Sequence, residues 1–341
     1  MLPLLAWSQD DILAHRSGYH VLADYLDAPR IVTRRADPSG GAALFGTRLL
    51  RRASFSRWFT GGSAQMEREI WTQCQSASTG SVHLLWCDRD LGFLDLLFPL
   101  LNRPLIGTFH QCPDDLPNVI RRPSTLKKFA AIMMMSETQR GYFLDHGVAP
   151  ERLHRVLHGV DVDYFTPATL DAPGDFSVLA VGGTRRDYRQ MRAVAESFSG
   201  DRTPRFVVVA PADQTQPLKS LPNVTCHARV SDAELLNLYR SSSCFLHLPE
   251  NATANNAMLE AMACGAPVVS QRVGGVPEYV NTECAKLSAP GDVAGTVKAI
   301  RDLAASPLQQ QEMRHAARAH ALKHDWRVIA KETEAVYQQV A

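Results

Sequence analysis

A chain of 341 residues exceeds the usual size of one hydrophobic core, so two domains of about 150 residues each are the expectation. The formal charge of +1 gives no pull toward nucleic acid. The seven cysteines, odd in number and without a C-x-x-C pair, argue against a disulfide framework or a structural zinc site and for free thiols in a reducing, cytoplasmic compartment.

In chain order, the start MLPLLAWSQDD has no basic n-region and too short an apolar run for a signal peptide, and Leu2 to Trp7 reads as an opening strand. The turn His15-Arg16-Ser17-Gly18-Tyr19-His20 follows, then a helix over Gly18–Leu26. Arg48–Phe59, RLLRRASFSRWF, clusters four arginines with Leu49, Leu50, Phe55, Trp58 and Phe59. Two readings stay open for it: a surface for an anionic membrane, or a helix packed on one face and solvated on the other. Val82–Cys87 and Pro104–Phe109 read as strands. Between them Leu91–Leu101 is the most apolar stretch, but it carries Asp95 and Pro99 and falls short of the ~20 residues of a membrane span. His83 sits inside a strand and reads as structural; His110 follows a strand end, where open α/β sheets place ligands. Thr166–Asp175 reads as a linker. Strands at Val178, Phe206, Cys244 and Val268 then alternate with helical patterns, as in a doubly wound sheet, and a last helix covers Trp326–Val340.

The most informative stretch is Phe245–Glu278, FLHLPENATANNAMLEAMACGAPVVSQRVGGVPE. A buried strand, Cys244–Leu248, enters a polar turn, Glu250–Thr253. A helix runs from Asn255 to about Cys264, where Gly265 and Pro267 supply stop signals, and a second buried strand ends at Gly274-Gly275. Met258, Leu259 and Met262 form the helix's core stripe; Asn256 and Glu260, four apart, share another face, toward the carboxyl ends of the strands. A carboxylate there is costly unless hydrogen-bonded, and the two hydroxyls of a sugar diol would serve. Asn255 reads first as a helix cap. No D-x-D pair or His/Asp cluster suggests a metal.

This segment resembles the nucleotide-binding motif of retaining, GT-B-fold glycosyltransferases of family 4: a Glu, seven residues, a second Glu, then A-M-A-x-G-x-P-V-V. The second half is matched by Glu260-Ala261-Met262-Ala263-Cys264-Gly265-Ala266-Pro267-Val268-Val269. The first Glu is missing: Ala252 stands in its place, and the nearest acid, Glu250, lies two residues further upstream. Ala130–Pro167, with Gly159 and Asp161, resembles the end of the family's first domain, and Val178–Phe198 the first strand, glycine turn and helix of its second. Where the family carries an Arg and a Lys after that turn, this chain has Arg185, Arg186 and Arg189.

The resemblance implies an α/β, GT-B fold: two Rossmann-like doubly wound domains facing each other across a cleft. Residues 1–165 would be the acceptor domain, 166–322 the donor domain, and 323–341 a helix returning to the first. It implies metal-independent transfer of a sugar, with retention, from a nucleotide-diphosphate sugar to a hydroxyl acceptor on a saccharide, a lipid-linked molecule or a small molecule, without a cofactor. A UDP-sugar is favoured over a GDP- or ADP-sugar, although no base-specific residue is visible. Glu260 would hold the ribose, and Arg185, Arg186 and the amides from Ala254 to Asn256 the diphosphate. Asn255, Asn256 and Glu250 are candidates for the donor sugar, and the backbone at Val230 for the base. Gly18 and His110 would face the reacting centre; an ordinary turn with Ser17 as N-cap, and a structural histidine, are the other readings. The enzyme would be cytoplasmic, with peripheral contact at the inner face of a membrane through residues 48–59. The missing Glu keeps a non-catalytic nucleotide-sugar-binding subunit open, and an epimerase behind it. A Rossmann dehydrogenase fits poorly, because Val181-Gly182-Gly183-Thr184 lacks the G-x-G-x-x-G spacing.

Overall fold

The computed structural model describes residues 2–10, 16–37, 39–76, 80–101, 103–168, 175–200 and 204–340. His15, and residues 169–174 of the expected linker, lie outside them. The chain divides into two compact units, Met1–His158 with Trp326–Ala341, and Gly159–Asp325.

The first unit is built on six strands: β1 (Leu4–Gln9), β2 (Arg30–Arg34), β3 (Val82–Leu84), β4 (Leu105–Phe109), β5 (Ala131–Met134) and β6 (Leu153–Arg155). Their order is β2-β1-β3-β4-β5-β6, every pair parallel. The inner strands β4 and β5 are buried at every position, as a parallel sheet covered on both faces requires. Edge strand β2 alternates buried and exposed residues. Helices α1 (Gly41–Ala53), α2 (Gly61–Ser76) and α3 (Leu94–Leu101) belong to this unit, whose core gathers Phe55, Met66, Ile70, Phe109, Phe129 and Phe143.

The helix expected over Gly18–Leu26 is present as a 3-10 helix, Tyr19–Tyr25, with the five residues from Tyr19 to Ala23 all buried and no solvent-facing stripe, and two other expectations are revised. Ser17 does not cap it; the N-cap is Gly18. Its φ of 110° and ψ of 160° belong to a region open essentially to glycine alone. The strand at Val82 stops at Leu84, and a helical turn, Cys87–Asp90, buries Asp88 and Asp90.

The second unit repeats the plan with β7 (Ser177–Val181), β8 (Arg205–Val209), β9 (Val224–His227), β10 (Cys244–His247), β11 (Val268–Gln271) and β12 (Ala285–Ser288). The order is β12-β11-β10-β7-β8-β9, again all parallel. Its helices are α4 (Tyr188–Glu196), α5 (Asp232–Ser241), α6 (Asn256–Ala263), α7 (Val293–Ala305) and α8 (Pro307–Ala321). Val178, Val194, Phe198, Phe206, Leu246 and Ile300 lie in its core.

The last helix, α9 (Trp326–Val340), is part of the first unit and buries Trp326, Ile329, Ala330, Thr333, Val336 and Tyr337. Its Tyr337 hydroxyl lies 2.6 Å from Nδ1 of His83, whose Nε2 lies 2.8 Å from Thr108 Oγ1. His83 is fully buried within that chain of hydrogen bonds, the structural role its place in a strand implies.

Candidate functional site

In each sheet the strand order reverses once, between β1 and β3 in the first and between β7 and β10 in the second. Loops leaving the carboxyl ends on either side of such a reversal diverge and leave a crevice where ligands bind. Arg185 and Arg186 follow β7, and the stretch from Glu250 to Glu260 follows β10, so both flank the reversal in the second sheet.

The loop after β7 is tightly held. A Cβ on Gly183 would come within 2.6 Å of Gln214 Oε1 and 2.9 Å of Pro211 Cδ, so no larger residue fits without displacing that turn. Arg185 is the non-glycine residue with positive φ, 50°, among the described residues, a backbone region costing roughly 1 kcal/mol outside glycine. Its carbonyl accepts the Glu250 N–H (3.0 Å), the Asp187 N–H donates to Leu248 O (2.9 Å), and Arg186 bridges to Pro249. These bonds hold the strained turn and bring Arg185, Arg186 and Glu250 together. Asp187 then caps α4 by accepting from the Gln190 N–H.

The Arg186 guanidinium donates to Thr184 O (2.9 Å) and has no carboxylate partner among the described residues. Burial pushes its pKa down to about 10, against the opposing influence of Tyr188 and Tyr239. It stays cationic at neutral pH, a partly desolvated charge. Glu250, by contrast, is exposed.

Helix α6 begins where Asn255 Oδ1 accepts the Met258 N–H (2.8 Å), so this side chain is the N-cap. Ala254, Asn255 and Asn256 are half-buried at that end. Met258, Leu259 and Met262 are core, as their spacing requires; Glu260 is only 5% exposed. The Tyr239 hydroxyl of α5, fully buried, donates to Glu260 Oε2 at 2.8 Å. His247, the last residue of β10, is also fully buried, its ring stacked against Phe245 at 6.4 Å, and neither ring nitrogen has a partner among the described residues. Burial, with the charge of Arg186, holds this imidazole well below its ordinary pKa. Val230 stands apart, half-buried beyond β9, just before the Ser231 cap of α5.

Gly18 and His110 lie in the first unit. The Tyr19 ring meets His110 edge-on at 4.9 Å, and Trp86 stacks on His110 at 5.5 Å, so the glycine turn and the histidine are neighbours. His110 Nε2–H donates to Leu85 O (2.7 Å). Burial pushes the ring to about 3, with the Leu85 bond opposing and His158 and Arg89 adding to the shift. It is a neutral imidazole at working pH and offers a fixed polar edge rather than a titrating proton. Asp88 Oδ2 accepts the N–H groups of both His110 (2.7 Å) and Gln111 (2.8 Å), which fixes the loop carrying the ring. Burial raises Asp88 to about 6 despite those two bonds.

Asp88, Trp86, Tyr239 and His247 escape a reading by motif. Asp88 carries the one available signal, an acid directly after a buried strand; Tyr239 and His247 look like ordinary core residues in a linear pattern. Among the described residues no three His, Cys, Asp or Glu side chains converge as metal ligands would.

The comparisons with known proteins meet this geometry in the second unit. Residues 175–306 match the family model of glycosyl transferases group 1. They form a glycosyl transferases group 1 domain. Both the arginine loop and the Glu260 helix lie inside this glycosyltransferase domain. A D-inositol 3-phosphate glycosyltransferase of Saccharomonospora viridis is 29% identical over 210 residues, 53% of this chain and 49% of that protein. The chain spans about half the length of the curated relatives it matches. Among solved structures, sucrose-phosphate synthase from Thermosynechococcus elongatus superposes with a TM-score of 0.71 at 15% identity, covering 99% of each chain. HepE of Anabaena, solved in complex with UDP-glucose, gives 0.72 at 15% identity, over 99% of this chain and 100% of that one. At such identities the likeness establishes the fold, which is GT-B over the whole chain.

Proposed function

We propose that this chain is a retaining glycosyltransferase of family 4 that moves a sugar from a nucleotide-diphosphate sugar to a hydroxyl acceptor without a metal. The observation that carries the reading is Arg186: a partly desolvated cation, without a carboxylate partner among the described residues, at the strand-order reversal of a glycosyl transferases group 1 domain. Breaking the bond between the sugar's anomeric carbon and the diphosphate leaves added negative charge on the leaving group. Arg186, Arg185 and the amides from Ala254 to Asn256 would meet it, supplying the fixed positive potential that a divalent cation supplies in other transferases. Glu260 holds the ribose, Glu250 and Asn256 lie toward the donor sugar, and Val230 toward the base. The acceptor hydroxyl forms the new bond on the face the diphosphate leaves and gives its proton to a phosphate oxygen, so no side chain has to act as base. That accords with His110 being neutral and committed to Leu85 O. Together with Gly18 it would shape the place where the acceptor approaches. HepE, of the same fold, was solved with UDP-glucose, which favours a UDP-sugar; the match to D-inositol 3-phosphate glycosyltransferases favours a hydroxyl of a small polyol or saccharide as acceptor.

The test is thermal stabilisation of the purified protein by UDP, GDP, ADP and dTDP, by their sugars and by the free nucleosides, beside Glu260→Ala and Arg186→Gln. A ligand at a hundred times its Kd adds about 2.7 kcal/mol, or a rise of about 5–10 °C for a unit of this size. A selective rise that Glu260→Ala abolishes, and that Arg186→Gln reduces for diphosphates but not for the free nucleoside, is expected. No rise with any nucleotide in a folded protein would remove the proposal. Ala252, standing where the family motif has its first Glu, favours a second reading, a nucleotide-sugar-binding subunit without turnover. Stabilisation without donor hydrolysis or transfer to any acceptor would select it.

Residues 48–59 would add peripheral contact with an anionic membrane. Phe55 and Phe59 are fully buried, so the contact surface is the outer face of α1, with Phe45, Leu49, Leu50, Arg48 and Arg52 exposed, together with Arg57 and Trp58. Arg51 is excluded from it by an ion pair with Asp37 at 2.6 Å. Among the described residues no helix is long and apolar enough to cross a membrane.

A further inference from the structure

Glu260 is buried on a helix whose neighbouring positions are apolar, and a carboxylate in such a place is worth little to a ligand unless something fixes its rotamer. The Tyr239 hydroxyl bonds it from a different helix. It donates to Oε2 at 2.8 Å, an ordinary O–H···O hydrogen-bond distance, and the tyrosine has no exposure at all. The ring is itself held on two sides, by Phe165 at 6.0 Å edge-on and by Phe245 of β10 at 6.2 Å. Burial and the adjacent Glu260 carboxylate raise the phenol well above its ordinary value, so the proton stays on the tyrosine oxygen and the bond runs from Tyr239 to Glu260.

We propose that Tyr239 is the positioning residue of the nucleotide site: its hydroxyl fixes the Glu260 carboxylate so that a ribose diol is met in one geometry. The proposal rests on the reading of Glu260 as the ribose acid. It also predicts which property of binding Tyr239 controls. A merely structural tyrosine would change stability and leave selectivity for the ribose alone. A positioning tyrosine changes how strongly the site distinguishes a ribose from one lacking a hydroxyl.

The experiment measures dissociation constants of UDP, GDP and ADP and of their 2′-deoxy and 3′-deoxy forms, by calorimetry, on the wild type, Tyr239→Phe, Glu260→Gln and the double variant. In the wild type, loss of the hydroxyl held by the carboxylate should weaken binding about 10- to 100-fold, as for a hydrogen bond to a charged group. Tyr239→Phe should weaken the ribonucleotide about 5- to 10-fold and reduce the discrimination by about the same factor, while adding less than about 2-fold in the Glu260→Gln background. Discrimination retained in Tyr239→Phe, or a full effect in the Glu260→Gln background, would overturn it. Should Tyr239→Phe fail to fold, 3-fluorotyrosine at position 239 replaces it. Its fluorine resonance should move on nucleotide saturation in the wild-type background and not with Glu260→Gln; a resonance unmoved by a bound nucleotide overturns the proposal. If the wild type binds none of these nucleotides, it is the assignment of the ribose acid that fails, and Tyr239 loses its role with it.

Discussion

His83 shows how much a single buried side chain ties to pH. Its imidazole lies between Tyr337 and Thr108, fully buried, and burial pushes its pKa from 6.5 down to about 3. The folded value lies below the unfolded one, so unfolding takes up a proton at any pH between the two. The contribution to stability is complete above about 6.5 and shrinks as pH falls toward 3, at up to about 1.4 kcal/mol per pH unit. His83→Gln, which can still bond both neighbours but does not titrate, is expected to flatten the acid limb of the Tm-against-pH curve between about pH 6.5 and 4, whatever it does at neutral pH. A parallel downward displacement of the whole curve would show that the imidazole's titration is not the source. The role of His83 was legible from its place inside an apolar strand. That of Tyr239 was not, because its partner lies 21 positions away on another helix and nothing in L-L-N-L-Y distinguishes a core aromatic from one whose hydroxyl is employed.

At the scale of elements, α6 depends on two features of different origin. Its N-terminus is closed by Asn255, a cap whose removal costs about 1 kcal/mol. The turn before it is held from outside: the Gly275 N–H donates to Ala252 O (2.8 Å), and a Cβ on Gly274 would overlap that same carbonyl oxygen. Gly274→Ala must therefore displace residues 251–252, and it is expected to cost about 2 kcal/mol or more, with weaker nucleotide stabilisation. Asn255→Ala should cost about half as much, and Asn255→Asp almost nothing, when all three are compared by denaturant titration. Equal small effects from both positions would mean that the turn yields easily. The cap and the glycine pair were legible because helix ends and turns have local chemistry. The edge strands β2, β9 and β12 were not: RIVTR, VTCH and AKLS are short and carry polar residues, since an edge strand has a face or flank in water and needs no continuous apolar run. The inner strands β4, β5, β10 and β11 are buried at every position and stand out in the sequence for that reason.

The molecule as a whole is set by one excursion of the chain: residues 159–325 form a continuous unit with its own sheet and core, while the first unit is completed only when Trp326–Ala341 returns to it. Helix α9 brings Trp326, Ile329, Val336 and Tyr337 into that unit, each buried to within 9% of full cover. Trp326 packs against Tyr19 at 5.8 Å and His158 at 5.0 Å, beside the turn at Gly18. At roughly 1.5–3 kcal/mol for each large apolar side chain, these four contribute about 6–12 kcal/mol, comparable to the whole stability of a typical domain. A chain ending at Asp325 should therefore lose the first unit's thermal transition, or have it depressed by more than about 10 °C. The second unit's core includes none of α9, so its own transition should remain and still rise with a nucleotide that stabilises the full chain. Scanning calorimetry of the shortened chain, with and without that nucleotide, separates the two units. Loss of both transitions together would mean that the second unit, with its arginine loop and its Tyr239–Glu260 pair, does not hold its structure without the first.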